Sequence, residues 1–190
     1  MFRNNKLYFM IVSALLCAIG IGIPIISPIK ITLEPASFTL ASHVPIFIAM
    51  FISPSTAIFV SVGSTIGFLL GGFPIVVVMR ASTHVVFASL GALILKKYPK
   101  VLEKTKLSIL YSFCISVLHG ICEVLIVLPF YFNNSMSAGY YTKGFIISVI
   151  LLVGVGTIIH SMIDFGISKV IWNYLIKAVK IPKYADVTKN

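Results

Sequence analysis

Three residue pairs in this chain have types and spacing suited to chemistry: Arg80 with His84, His119 with Glu123, and His160 with Asp164. Each pair is four positions apart, so on a helix its two side chains stack on one face. A guanidinium placed in this way grips an acidic ligand through two parallel hydrogen bonds. Imidazoles on separate helices are also the usual ligands of a transition metal or haem. All four histidines, the fourth being His43, fall in strongly apolar sequence.

The surroundings make these residues costly. Of 190 residues, 58% are hydrophobic and only 11% are charged, with a mean hydropathy of +1.05. Soluble domains carry roughly 25% charged residues, so the expectation is an all-α integral membrane protein forming one domain over 1–190. A cation in hydrocarbon costs about 2.5 kcal/mol or more and persists only where a carboxylate, a bound anion or a water-filled cavity receives it. Arg80 must therefore be met by something.

At ~20 residues per crossing there is room for about six helices with short loops. Hydropathy and breakers place them at 7–26, 36–52, 55–70, 74–95, 107–132 and 144–168. Ser53-Pro54 separates the second from the third, because proline disfavours helical geometry in the residue before it, and Gly71-Gly72-Phe73-Pro74 turns into the fourth. The apolar run 7–29 is longer than the 7 to 15 residues of a signal-peptide core and is kept as a span.

The net charge of +10 does not point to nucleic acid, since the basic residues sit at the ends of apolar runs. The loop KKYPKVLEKTK carries five lysines in eleven residues. Six spans with both termini cytoplasmic put this loop, Arg3, Lys6 and the lysines from 169 onward inside, leaving Lys30 and Lys143 outside. Fusing the second and third spans would move the five-lysine loop outside, against the positive-inside rule. The stretch from Lys169 onward, with Trp172, reads as a helix end leaving the membrane surface.

Depth along the spans sorts the polar residues. Arg80 and Glu123 each lie about six residues, ~9 Å, below the outer end of their span, and His43 starts the second span near the same level. His43, Arg80, His84, His119 and Glu123 are thus expected to line one outward pocket, while His160 and Asp164 fall in the inner half as a structural pair. Two plainer readings stay open: Arg80 with Glu123 as an ion pair tying helices together, and His43 as a helix cap. A metal or haem site using His84, His119 and His160 is the competing class, but no HxxxH or HExxH spacing supports it, and no metal or cofactor is expected. Cys17, Cys114 and Cys122 read as small apolar core residues. Ser64 has no GxSxG context and the chain has no Walker motif, so neither an enzyme nor a self-powered pump is expected.

Ala14, Ala18 and Gly22 repeat every four residues, as do Gly63, Gly67 and Gly71. Such strips let helices approach closely, for internal packing or for docking a partner.

A chain of this size and span order with AxxxA at Ala14 and Ala18 resembles the substrate-binding S components of bacterial energy-coupling factor transporters. The segments SFTLASHVPIFIAMFISP (37–54) and GFPIVVVMRASTHVVFASLGALILKK (72–97) are most similar to the niacin-specific S component. The resemblance implies a protein of the bacterial cell membrane. It would capture a vitamin near the outer surface and dock through Ala14 and Ala18, with Gly22 extending the strip. The partners implied are a shared transmembrane T component and two cytosolic ATP-binding A subunits. Nicotinate is a planar aromatic anion, which suits Arg80 as the carboxylate grip, His84 or His43 as a donor, and Phe38, Phe47, Tyr140 or Tyr141 as a stacking ring. Glu123 would hold Arg80 in place. Pantothenate and folate are carboxylates too, and a permease working alone is a further reading.

Overall fold

The computed structural model describes residues 5–27, 30–33 and 36–178. Glu34, Pro35, Arg3 and the lysines beyond 179 lie outside the described residues. Helix α1 (Asn5–Ile26) leads to a hairpin of β1 (Lys30–Leu33) and β2 (Ala36–Thr39), antiparallel with Lys30 opposite Thr39. Then come α2 (Val44–Ile52), α3 (Pro54–Leu70), α4 (Ile75–Ser82), α5 (His84–Lys97) and α6 (Thr105–Phe132). The short α7 (Ala138–Thr142) precedes a π-helical segment, Ile146–Val155, that runs directly into α8 (Gly156–Ala178).

The chain is inside-out relative to a soluble protein. Large apolar side chains such as Leu7, Leu15, Ile19, Leu110, Leu125 and Ile163 are exposed, whereas Ser61, Ser64, Ser116, Ser161 and Ser168 are buried. Lipid solvates the former, and small polar residues let helices pack closely. Four helical stretches are long and apolar enough to cross a membrane: Leu7–Ile26, Ile75–Lys97, Thr105–Phe132 and Ile146–Ala178. This is a multi-pass membrane protein.

Three details differ from the sequence-based layout. Residues 36–39, expected as the start of a span, form β2, and the helix that follows is only the nine residues of α2. Nine residues rise ~14 Å, less than half of a bilayer core. Every residue of α2 is buried, so its all-round apolar sequence reflects burial among other helices. The expected fourth span is interrupted at Thr83, where Thr83 N bonds to Arg80 O and Val86 N to Thr83 O, tightening the turn to three-residue spacing. The last helix also runs past the expected 168 to Ala178, with the Trp172 indole buried against Phe51 at a ring-centroid distance of 5.7 Å.

The two small-residue strips play opposite parts. A Cβ added at Gly67 would lie 2.6 Å from Ile21 Cα, and one at Gly63 would collide with Cys17 Sγ. The α3 glycines therefore receive the backbone of α1. Ala14 and Ala18, by contrast, are exposed on α1, and a Cβ at Gly22 would meet nothing within 4 Å. That strip is not used for packing within the chain.

Candidate ligand-binding site

At the hairpin end of the bundle, a cleft is lined by Phe38 and Thr39 of β2, Ser42 and His43 of the turn before α2, and Phe68 and Phe73 around the end of α3. Arg80 of α4, His84 of α5, Glu123 of α6, and Thr157 and His160 of α8 complete it. It encloses about 410 Å³ of unoccupied space, solvent at its mouth included. The four histidines, Arg80 and two carboxylates, drawn from five segments, gather in and directly beneath it.

Arg80 is 5% exposed and Glu123 4%. Arg80 Nε and Nη2 both donate to Glu123 Oε2, at 3.2 and 2.8 Å, and Thr157 Oγ1 donates to the same oxygen. Arg80 Nη1 is buried and has no hydrogen-bond partner among the described residues. A guanidinium held by two of its nitrogens, with a third edge unsatisfied beside a cleft, is arranged to accept an anion. Behind it stands Tyr140 of α7, between spans, whose phenol interacts with Arg80. Burial pushes that phenol above its ordinary pKa, so it remains a neutral hydroxyl.

His43 is anchored by Asp164. Asp164 Oδ2 accepts from His43 N and is 3.0 Å from His43 Nδ1, while Asp164 Oδ1 accepts from Ala41 N at 3.0 Å. Ala41 itself is in the left-handed region, φ 66°, a conformation that L-residues adopt at a cost and that persists where surrounding bonds enforce it. His43 precedes α2 without making a side-chain cap. Its Nε2 instead lies 3.3 Å from His84 Nε2. His119 is fully buried under this pair, with Nε2 3.4 Å from Glu123 Oε1 and its ring against Phe87.

The placement of His160 and Asp164 in a separate inner layer is corrected. His160 lines the cleft and lies 3.3 Å from Ser42 Oγ, and Asp164 holds the turn that presents His43. The helix starts at Ile146 and not at 144, and its first ten residues are π-helical, with more residues per turn and less rise per residue than an α-helix, so His160 lies nearer the outer end. His160 thus stands 14 residues from Ile146, much as His119 stands 13 from Phe132.

Of the proposed ring-stacking residues, Phe38 borders the cleft, 5.4 Å from the His160 ring. Phe47 does not: it is fully buried one turn below His43, between Phe87 and Phe165. Tyr141 also lies elsewhere, bracing the loop before α7 by accepting from Met136 N and donating to Phe130 O. The lining residues not anticipated were Thr39, Ser42, Phe68, Phe73, Val77, Ala81 and Thr157. Thr157 was detectable, since it precedes His160 by three and Asp164 by seven on one polar helix face. Phe68 and Phe73 carry no such signal, being apolar residues in apolar sequence brought together across the Gly71-Gly72 turn.

The chain is 39% identical to the niacin transporter NiaX of Lactococcus lactis subsp. cremoris (strain MG1363), over 99% of this chain and 83% of that protein. No family model and no solved structure matches it.

Proposed function

The chain belongs to the family of the niacin transporter NiaX, and from that premise we propose that it is the niacin-binding S component of an energy-coupling factor transporter in a bacterial plasma membrane. Nicotinate enters the cleft at the hairpin end, and its carboxylate meets the unsatisfied edge of Arg80. Phe38, Phe68 and Phe73 supply apolar walls for the ring, and His84 or His43 donates to the ligand. The observation that carries this reading is Arg80 Nη1, buried and without an acceptor among the described residues. Glu123 leaves Arg80 oriented and partly neutralised until the anion arrives. Uptake itself draws on the shared T component and the two ATP-binding A subunits, docked on the outward Ala14, Ala18 and Gly22 strip.

The test is equilibrium binding of radiolabelled nicotinate to purified protein. Charge-assisted hydrogen bonds contribute ~1.5–3 kcal/mol, so Arg80→Ala is expected to weaken binding by about 10- to 100-fold, and nicotinamide to bind correspondingly less well than nicotinate. Equal affinity for nicotinamide and nicotinate would remove the carboxylate grip from the reading.

A further inference from the structure

The imidazoles beneath the cleft exceed what a flat acid requires. One ring nitrogen from each of His43, His84 and His119 lies within 4.8 Å of the other two, and the His43 and His84 Nε2 atoms are 3.3 Å apart. Nitrogens bound to one tetrahedral ion at ~2.0–2.1 Å stand about 3.3 Å from each other. Two of the three are thus already at bonding spread, and the third has to close by on the order of 1 Å to match it. Asp164 takes the Nδ1 side of His43 at 3.0 Å and leaves Nε2 directed into the triad, which is how an outer carboxylate fixes a ligating histidine. Among the described residues His84 Nδ1 and His119 Nδ1 are buried without a hydrogen-bond partner, and His119 Nε2 faces Glu123 Oε1 at 3.4 Å. The charge balance points the same way: the cluster holds two buried carboxylates, Glu123 and Asp164, and one buried guanidinium, Arg80, which pairs with Glu123. Among the described residues, the ion pairs of Asp164 are to His43 and His160 alone.

We propose that His43, His84 and His119 form a binding site for one divalent transition-metal ion of the zinc and nickel class, with its fourth position open toward the cleft. An all-imidazole set suits those ions rather than magnesium or calcium. His43, His160 and Asp164 also converge, but both Asp164 oxygens already accept backbone N–H groups, so the imidazole triad is the better site. The triad takes one residue from each of three separate segments, which is why no HxxxH spacing announces it. An ion on these nitrogens leaves His84 Nδ1, not His43, as the imidazole nitrogen that can donate to the cargo of the cleft.

The test uses tag-free, full-length protein in detergent, stripped of metal by chelation, then titrated with Zn²⁺ by calorimetry and with Co²⁺ by visible absorption. Expected are one ion per chain, tetrahedral-type Co²⁺ bands, at least tenfold weaker Zn²⁺ binding in His84→Ala and His119→Ala, and roughly 10- to 100-fold weaker binding in Asp164→Asn. His160→Ala is expected to retain wild-type Zn²⁺ affinity. Thermal unfolding of each metal-free variant checks its fold, with His84→Gln and His119→Gln replacing any alanine variant that fails. Lack of stoichiometric Zn²⁺ binding by folded wild-type protein overturns the proposal. So does an affinity unchanged in the His84 and His119 variants, or a loss confined to His160→Ala.

Discussion

Glu123 concentrates three donors on one oxygen, two from Arg80 and one from Thr157. Removing its charge leaves a guanidinium buried without a counter-ion, at a cost of about 3–5 kcal/mol. Glu123→Gln is therefore expected to lower the melting temperature of the ligand-free protein. An anion then restores neutrality, so saturating nicotinate should raise the melting temperature more in this variant than in the wild type; a smaller rise would argue against an anion beside Arg80. Asp164→Ala strips three bonds from the turn at residues 41–43. A loss of about 3 kcal/mol corresponds to a drop of roughly 6–12 °C for a chain of this size, readable by a thermal unfolding scan. At this scale the sequence was informative wherever a polar group stood in apolar surroundings. Arg80, His84, His43 and Glu123 were legible because hydrocarbon tolerates such groups only with partners. Phe47 was misplaced because a phenylalanine in an apolar helix is equally at home in a core or a pocket wall.

The elements differ in how freely they tolerate change. Gly67→Leu would drive a side chain into the α1 backbone at Ile21, so this variant is expected to fail in size-exclusion and thermal assays. Ala18→Leu, on the exposed face of the same helix pair, should leave folding and nicotinate binding intact while reducing uptake in cells that supply the energising subunits. Equal uptake by Ala18→Leu and wild type would detach that strip from docking. At Gly156 an added Cβ would come within 2.7 Å of Phe38 Cζ, so Gly156→Ala displaces a cleft wall. Aromatic contacts contribute ~0.5–1.5 kcal/mol, and nicotinate affinity should fall by about two- to tenfold. Helix positions were readable from breakers such as Ser53-Pro54, but β1 and β2 were not. Four-residue strands carry too little periodicity to stand out beside long apolar runs, and α2 looked like a span because burial among helices and burial in lipid select the same residues.

For the molecule as a whole, the lysines of the 96–106 loop and Lys169 gather at the end of the bundle away from the cleft. Lys100 and Lys169 border a common groove with Trp172, and Lys169 Nζ donates to Ser108 Oγ. The positive-inside rule predicts that this end faces the cytoplasm. In a background with Cys17, Cys114 and Cys122 replaced, Lys104→Cys should resist a membrane-impermeant maleimide in intact cells, whereas Ser137→Cys should react; the reverse pattern would invert the topology. The π-helical stretch Ile146–Val155 sets the rotational phase of everything below it on the last helix. Rare as such windings are, this one functions as a spacer: deleting any one residue from it would turn the downstream helix by about 100°. Thr157, His160 and Asp164 would swing away from Glu123, Ser42 and His43 together, so one omitted apolar residue, touching no ligand, would dismantle one wall of the site in a single rotation.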